Sequence, residues 1–218
     1  MKINIIYEDN HLLVVEKPIN MPVQADESKD LALLDYLKEY IKEKYNKPGN
    51  VYLGLVHRLD RPVGGIMVFA KTSKAASRLS EQIRKNEFEK IYNAIIVGKI
   101  KKEDVFIDKL LKDKKTNMTR VNEQGKISEL SYKLIDYKDD LSLVKIYLKT
   151  GRSHQIRVQY SSRNYPLYGD QRYNKNAIVG QQLALFAMQL SFMHPTTKEQ
   201  LKFNLDLPKK YPWNIFNN

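Results

Sequence analysis

The chain opens with two short apolar runs separated by polar residues. Ile3–Tyr7 and Leu12–Glu16 are rich in β-branched and aromatic residues, and Glu8–Asn10 lies between them. Runs of this length, bounded by turn residues, are typical of strands. The pattern predicts a hairpin or bend at the start of the chain, and Pro18 and Pro22 end any regular ladder.

Two later segments have the periodicity of helices. Ser28 or Asp30 is a candidate N-cap for the first helix. Its inward face would consist of Leu34, Leu37, Ile41 and Tyr45. Thr72 or Ser73 opens the second helix, whose spacing also follows one helix face. Its predicted inward residues are Ala76, Leu79 and Ile83.

Most of the remaining apolar runs predict strands. They are Gly65–Lys71, Lys90–Val97, an antiparallel pair that turns at Lys138–Asp140 (Leu130, Tyr132, Leu134 with Val144, Ile146, Leu148), Leu183–Phe192 and Leu201–Leu207. The charged stretch Lys101–Lys126 has eight basic and five acidic residues. It reads as a short edge strand inside a mostly solvated connection, and its basic excess is the reason to expect contact with RNA. Ser153–Ser162 predicts a short helix. Strands outnumber helices, so we expect an α/β (α+β) fold: one domain over 1–218, with a largely antiparallel mixed sheet flanked by helices.

The charge balance points to a polyanionic partner. The chain has 37 basic and 25 acidic residues among 218, a net charge of +12. Nucleic acid is the commonest soluble polyanion, although an acidic membrane surface or protein fits net charge equally well. A membrane role would require an amphipathic basic helix, a lipid signal or an apolar span, and none is evident. The N-terminus lacks a signal-peptide pattern. We expect a cytoplasmic protein, monomeric and without an obligate protein partner.

Several chemistries are disfavoured by residue types. Cysteine is absent, which removes disulfides, thiol nucleophiles and sulfur-bound zinc. No GxSxG, Walker or GxGxxG motif occurs. The four histidines have no metal-ligand spacing, and they are His11, His57, His154 and His194. We therefore predict neither a metal nor an organic cofactor.

The segment VHRLDRPVGG contains the sharpest candidate for chemistry. Asp60 lies between Arg58 and Arg61, and cations so close favour the charged form of a carboxylate. A purely structural interpretation is a loop tied by salt bridges. However, Pro62 fixes the backbone and the glycines at 64–65 leave room for a close approach, which a structural carboxylate does not need.

Two further segments supply candidate residues. Between Lys149 and Lys175 there are six basic residues and one acid, Asp170. Arg152 lies in a polar loop and suits phosphate, whereas Arg157 lies between apolar residues and is the better candidate to point inward, where its forked geometry could hold a carboxylate. Spacing does not name that carboxylate. Tyr92 is a third candidate, although strand tyrosines usually serve in packing.

Together these segments resemble the signature of the RluA-type pseudouridine synthases. The segments HRLDRPVGG…AKT, KIYNAIIVG and TGRSHQIRVQ…YPLYGDQRY occur in the family's order, and the likeness extends to both ends of the chain. Many members carry an S4 RNA-binding domain ahead of the catalytic one, but here the family pattern begins near Met1, so no S4 domain is expected. Many also have Thr-Ser where this chain has Val63 and Gly64.

The resemblance implies roles for individual residues. Asp60 matches the catalytic aspartate, Tyr92 the active-site tyrosine that contacts the base, and Arg157 the arginine that pairs with the aspartate. Substrate-binding positions are assigned to His57, Arg58, Ile156 and Arg152. Arg58 would lie near the space that a flipped base vacates, and Ile156 would pack near the uracil.

The implied function is isomerisation of uridine to pseudouridine in ribosomal or transfer RNA, with no cofactor. An ionised carboxylate can start this reaction by attacking C1′ or by promoting loss of the C2′ proton, and the sequence leaves both routes open. The alternative is a non-catalytic RNA-binding protein with the same fold. A nuclease would need clustered carboxylates and a glycosidase a second catalytic acid, and no such partner stands out.

Overall fold

The computed structural model describes residues 2–216. The fold is mixed α/β, with a large, mostly antiparallel sheet and three helices, as the sequence predicts. In chain order the elements are β1 (Asn4–Glu8), β2 (Leu12–Lys17), α1 (Leu33–Lys44), β3 (Gly54–Leu55), β4 (Gly64–Ala70), α2 (Ser73–Arg84), β5 (Glu89–Val97), β6 (Glu103–Lys112), β7 (Thr119–Val121), β8 (Lys126–Lys138), β9 (Leu141–Leu148), α3 (Gln155–Ser161), β10 (Leu185–Met193), β11 (Gln200–Asn204) and a 3-10 turn (Trp213–Phe216).

The backbone forms two compact units. The first comprises the chain up to Phe88 together with Gln189–Leu205, and the second comprises Glu89–Met188 and the segment that begins at Asp206. The boundary at residues 188 and 189 falls inside β10. The expectation of one domain over the whole chain stays a prediction.

In the first unit, three antiparallel strands follow the order β1–β2–β4, β3 also pairs with β4, and β11 pairs with β10. The predicted N-terminal hairpin is confirmed by the β1–β2 pairing. Both faces of β4 are buried. An apolar cluster joins strands β2, β4 and β10 to α2, and its buried members are Leu12, Val14, Ile66, Val68, Ala70, Ala75, Leu79, Phe88, Leu190 and Phe192.

The two helices of this unit differ from the prediction in detail. The N-cap of α1 is Ala32, which makes no side-chain cap, so the expectation of Ser28 or Asp30 is wrong. The buried face of α1 is Leu33, Leu37 and Ile41. The cap of α2 is confirmed, because the Thr72 hydroxyl accepts a hydrogen bond from the Ala75 N–H. Its buried face is Ala75, Leu79 and Gln82, one position away from two of the predicted residues.

In the second unit, five antiparallel strands follow the order β5–β9–β8–β6–β7. The predicted turn between β8 and β9 is confirmed, with Asp139 and Asp140 both at positive φ as tight hairpins require. The stretch Lys101–Lys126 contains more structure than predicted. β6 alone has ten residues, because Phe106 and Leu110 are buried on one face of the strand while Val105, Ile107 and Lys109 on the other face are exposed.

The core of the second unit contains three aromatic rings. Phe106 of β6, Tyr132 of β8 and Tyr160 of α3 have ring centroids 5.1–5.5 Å apart. Tilted contacts at this distance add to the free energy of burial. They hold α3 against the β6–β8 pair, so the helix has a fixed position on its sheet.

The described residues contain neither a helix that could cross a bilayer nor a cluster of metal ligands. Within 2–216, none of the helices has the length and apolar character that crossing a bilayer requires. Over the same residues, no group of three or more His, Cys, Asp or Glu side chains is placed to hold a metal ion.

Candidate active site

Asp60 lies in a tight turn between β3 and β4. The Val63 N–H donates to the Asp60 carbonyl at 3.0 Å and closes the turn around Arg61 and Pro62. The side chain of Asp60 is partly exposed. Gly65, just beyond the turn, has φ +121°, a conformation that favours glycine. The turn therefore presents a carboxylate at the start of a fully buried strand.

A buried lysine lies beneath this turn. The Lys17 ammonium donates hydrogen bonds to the carbonyls of Pro18 (2.8 Å), Arg61 (3.0 Å) and Val63 (2.8 Å), and its side chain is fully buried. Three acceptors match the three donors of an ammonium. Burial lowers the pKa of Lys17 to about 7, while the negative charge of Asp60 acts in the opposite direction. Lys17 thus fixes the turn, and in its protonated form it places a positive charge near Asp60.

Arg61, which follows Asp60, is engaged by an acidic segment. Its guanidinium forms ion pairs with Asp30 and, at 3.8 Å, with Asp26, and it donates to the Ser28 hydroxyl at 2.9 Å. Sequence adjacency suggested that this arginine serves Asp60. In the structure, its charge is already paired with carboxylates distant in sequence.

Arg58 and His57 precede the turn. Arg58 is exposed, and its Nη1 lies 3.4 Å from the Gln24 side-chain oxygen. His57 Nε2 accepts the N–H of Val68 in β4 at 3.1 Å, and its ring lies 5.6 Å from that of Phe88. His57 therefore helps to hold the loop before Asp60 to β4. The substrate-binding roles of both residues stay predictions.

Tyr92 lies on β5 in the second unit, where it is buried and pairs with Ile146 of β9. Lys90 is two residues earlier and therefore projects from the same face of the strand. Lys90 is also buried, and burial lowers its pKa, with the positive charge of Arg152 lowering it further. The strand face that carries Tyr92 thus also carries a buried amine near the loop before α3.

Arg157 lies on α3 and points inward, as the sequence predicts. Its Nε donates to Asp170 Oδ2 at 2.8 Å and its Nη2 to Asp170 Oδ1 at 2.7 Å, and both side chains are at most 5% exposed. This bidentate contact identifies Asp170 as a carboxylate partner of Arg157, which spacing could not name. The pairing of Arg157 with Asp60, implied by the resemblance, stays a prediction.

Asp170 was not assigned a role from the sequence. It is 1% exposed and also accepts the N–H groups of Arg172 and Tyr173. Gly169, with φ +71°, precedes it, and a Cβ there would lie 2.2 Å from the Gln182 carbonyl oxygen. The signal in the sequence was its isolation, since it is the one acid in a basic stretch.

Two glutamines fix the position of α3. Gln155 Nε2 donates to the Glu129 carbonyl at 3.1 Å and to Gln159 Oε1 at 3.0 Å. Gln159 Nε2 donates to Asp108 Oδ2 at 2.8 Å. Residues four apart share one helix face, and Arg157, between them, projects from another. The glutamines therefore bind α3 to β6 and β8 and set the direction of Arg157.

Arg152 and Ile156 flank this arrangement. Arg152 is exposed, with its Nε donating to the Ile127 carbonyl at 3.0 Å and its N–H to Gln155 Oε1 at 3.0 Å. Ile156 is buried at 5% exposure. An exposed guanidinium in a fixed loop suits contact with phosphate. Both binding assignments stay predictions.

Comparison with known proteins identifies the class of protein. The family described as RNA pseudouridylate synthase matches residues 11–162, which include Asp60, Tyr92 and Arg157. The chain belongs to this family, whose members are isomerases. A human protein, "RNA Pseudouridylate Synthase Domain Containing 4", superposes with a TM-score of 0.79 and 25% identity over 94% of this chain and 89% of its own.

Curated relatives place the chain near bacterial members. It is 33% identical to an "Uncharacterized RNA pseudouridine synthase" of Aquifex aeolicus, over 96% of this chain and 71% of the relative. It is 32% identical to "Ribosomal large subunit pseudouridine synthase C" of Vibrio parahaemolyticus, over 94% of this chain and 66% of the relative. The chain spans about two thirds of the length of these relatives.

Proposed function

We propose that this protein converts uridine to pseudouridine in ribosomal RNA, with Asp60 as the catalytic carboxylate and with Tyr92 and Arg157 assisting. The reaction breaks the bond between N1 and C1′, turns the uracil and joins C5 to C1′. Atoms and redox state are unchanged, so the chemistry requires no co-reactant. Asp60 starts it by attack on C1′ or by promoting loss of the C2′ proton.

The observation that carries this proposal is the construction of the Asp60 turn. Lys17 binds two carbonyls of the turn from below, and Pro62 restricts its backbone. A reacting group must be held within a fraction of an ångström of its productive position. The partly exposed carboxylate therefore lies on a backbone that is held from the buried side, as a catalytic group requires.

The choice of RNA rests on relatives and on charge. Vibrio parahaemolyticus and Pseudomonas aeruginosa relatives are named ribosomal large subunit pseudouridine synthases. The +12 charge favours phosphate contacts, which offset the few kcal/mol needed to extrude a uridine from its stack. We infer that large-subunit ribosomal RNA is the substrate, and transfer RNA is the alternative to be tested. The inferred site of action is the cytoplasm.

The decisive test is Asp60→Asn, which keeps the size of the side chain and removes its charge. We expect conversion to fall below detection while the protein folds and binds RNA. Pseudouridine is mapped in unmodified large-subunit ribosomal RNA and in transfer RNA incubated with each variant. Asp30→Asn, in the exposed segment that engages Arg61, is the control and should stay active.

A folded Asp60→Asn protein that forms pseudouridine at the wild-type rate would overturn the assignment of Asp60. Wild-type protein that binds these RNAs and leaves every uridine unchanged would favour the non-catalytic RNA-binding alternative. Conversion confined to transfer RNA would support the proposed enzymatic activity and would show that the substrate is transfer RNA instead of ribosomal RNA.

A further inference from the structure

The phenol of Tyr173 lies where three segments of the second unit meet. Its oxygen accepts the backbone N–H of Thr119 in β7 at 2.9 Å. The same oxygen is 2.7 Å from Nδ1 of His154, the residue before α3. Its ring lies over the guanidinium of Arg157, with 5.1 Å from Cζ to the ring centroid. One side chain thus contacts β7, the start of α3 and the arginine on α3.

The surroundings of Tyr173 include the Asp170 carboxylate and the left-handed backbone of His154. Burial raises the pKa of Tyr173, which keeps the phenol neutral. Tyr173 is three residues beyond Asp170, whose carboxylate holds Arg157 and accepts the Tyr173 N–H. His154 has φ 52°, a left-handed conformation that costs free energy in a residue other than glycine and needs support from its surroundings. The contact between His154 and Tyr173 is part of that support.

The segment tied by Tyr173 is the end of a basic hairpin. β6 and β7 pair from Leu110 to Lys112 with Thr119 to Val121, and residues 113–118 connect them. Its exposed cations are Lys112, Lys114, Lys115 and Arg120. Arg172 Nη1 also lies 3.4 Å from the Asn117 carbonyl. Because Thr119 is buried while the cations around it are exposed, the hairpin meets the protein at Thr119 and offers its cations to solvent.

We propose that Tyr173 is a positioning residue that supports this basic hairpin through its hydroxyl and Arg157 through its ring. The proposal rests on the proposed function, in which the hairpin contacts RNA phosphate and Arg157 assists catalysis. Through the Tyr173 hydroxyl the hairpin is held before RNA arrives, and through the ring and Asp170 the same segment holds Arg157. One side chain thereby supports both the hairpin and Arg157, through different atoms.

The test separates the hydroxyl from the ring. Tyr173→Phe keeps the ring over Arg157 and removes the acceptor for the Thr119 N–H. Without RNA, we expect the Thr119 amide to exchange its hydrogen about ten-fold faster, measured by NMR. The enzyme is assayed on unmodified large-subunit ribosomal RNA, with transfer RNA in parallel. We expect KM to rise about five-fold, which corresponds to the net free energy of one neutral hydrogen bond. The rate at saturating RNA should change by less than about two-fold, because bound RNA itself holds the hairpin.

Two other variants complete the design. Tyr137→Phe removes a phenol hydrogen bond to Asp140 in the same unit, at the opposite end of β8 from the hairpin, and should match wild type in every measurement. Asp170→Asn weakens the anchor of Arg157 and should show the opposite split, with a lower rate at saturating RNA and little change in KM. A merely structural role for Tyr173 would not produce this division between KM and kcat.

The outcomes distinguish the two proposals. An active wild type with Tyr173→Phe indistinguishable from Tyr137→Phe in Thr119 exchange and in KM overturns the role of Tyr173. A wild type that forms no pseudouridine in either RNA overturns the proposed function, whereas the exchange measurement, which uses no RNA, still tests the tie between Tyr173 and the hairpin.

Discussion

Each unit buries a cation near a candidate catalytic element, but the two cations are stabilised differently. Lys17, in the first unit, donates to three backbone carbonyls. Arg157, in the second, makes a bidentate contact with the Asp170 carboxylate. Carbonyl dipoles replace part of the lost hydration of an ammonium, whereas a carboxylate also neutralises the charge.

The difference shows which site can respond to pH. A guanidinium stays protonated at any pH a protein tolerates. An ammonium changes its pKa readily when it is buried, and burial lowers the pKa of Lys17 to about 7. The element beneath Asp60 is thus titratable near neutral pH, while the arrangement around Arg157 keeps its charge.

The largest stability effect is expected when Arg157 loses its bidentate contact with Asp170. Asp170→Ala removes the buried carboxylate that accepts hydrogen bonds from Nε and Nη2 of Arg157. We expect the free energy of unfolding to fall by about 3–5 kcal/mol in urea denaturation. Glu123→Ala breaks an exposed ion pair with Lys109 in the same unit and should cost less than about 1 kcal/mol. If both variants lost the same free energy of unfolding, burial would not be what makes the Asp170 contact stronger than the exposed ion pair.

A smaller effect is expected at Lys17. Lys17→Met keeps most of the apolar stem and leaves the carbonyls of Pro18, Arg61 and Val63 without their donor. The free energy of unfolding should fall by about 1–3 kcal/mol. Lys74→Met, on the exposed face of α2, is the control and should be nearly neutral.

The pH dependence sharpens the same comparison. The Lys17 pKa is about 7 in the folded protein and 10.5 ordinarily, so the unfolded chain binds more protons between these values. Wild-type stability therefore gains from this group as pH rises from 7 to 10.5, and the gain is lost as pH falls toward 7, by at most about 1.4 kcal/mol per pH unit. Lys17→Met lacks this slope, so its deficit should widen between pH 7 and pH 9. Parallel stability curves would show that Lys17 does not titrate in this range.

The smallest effect is expected for an exposed cation. Arg61→Gln removes ion pairs with Asp26 and Asp30 whose side chains are 42–54% exposed. We expect a loss of less than about 1 kcal/mol at low salt, disappearing near 1 M salt because exposed charges are screened. A loss as large as that of Lys17→Met, or one insensitive to salt, would mean that these pairs are stronger than their exposure indicates.

Much of the fold could be predicted because the pattern along the chain is local. The strands β2, β4 and β5 are predicted within a residue or two, since their apolar runs are continuous. β6 was underestimated because its solvent face mixes apolar and charged residues. The cap of α1 was assigned wrongly because Ser28 instead binds Arg61, a contact that spans 33 positions.

The site residues could be predicted only where they lie within a recognisable sequence segment. Asp60, Tyr92 and Arg157 were named from their segments, and the fold places each on a defined element. Lys17, Asp170 and Tyr173 were missed because their importance depends on contacts with distant residues: Lys17 reaches Val63 across 46 positions, and Tyr173 reaches Thr119 across 54. Nothing in the local pattern distinguishes such a lysine or tyrosine from an ordinary one.

The first unit is built from two segments that lie far apart in the sequence. This separation has a consequence for synthesis on the ribosome. Leu190 and Phe192 pack in the same cluster as Leu12 and Val14, yet about a hundred residues are translated between Phe88 and Gln189. At roughly 5–20 residues per second, that interval lasts several seconds or more. During it, the strands β5 to β9 and helix α3 of the second unit emerge complete. The core that supports the Asp60 turn is therefore incomplete until Leu190 and Phe192 have been translated.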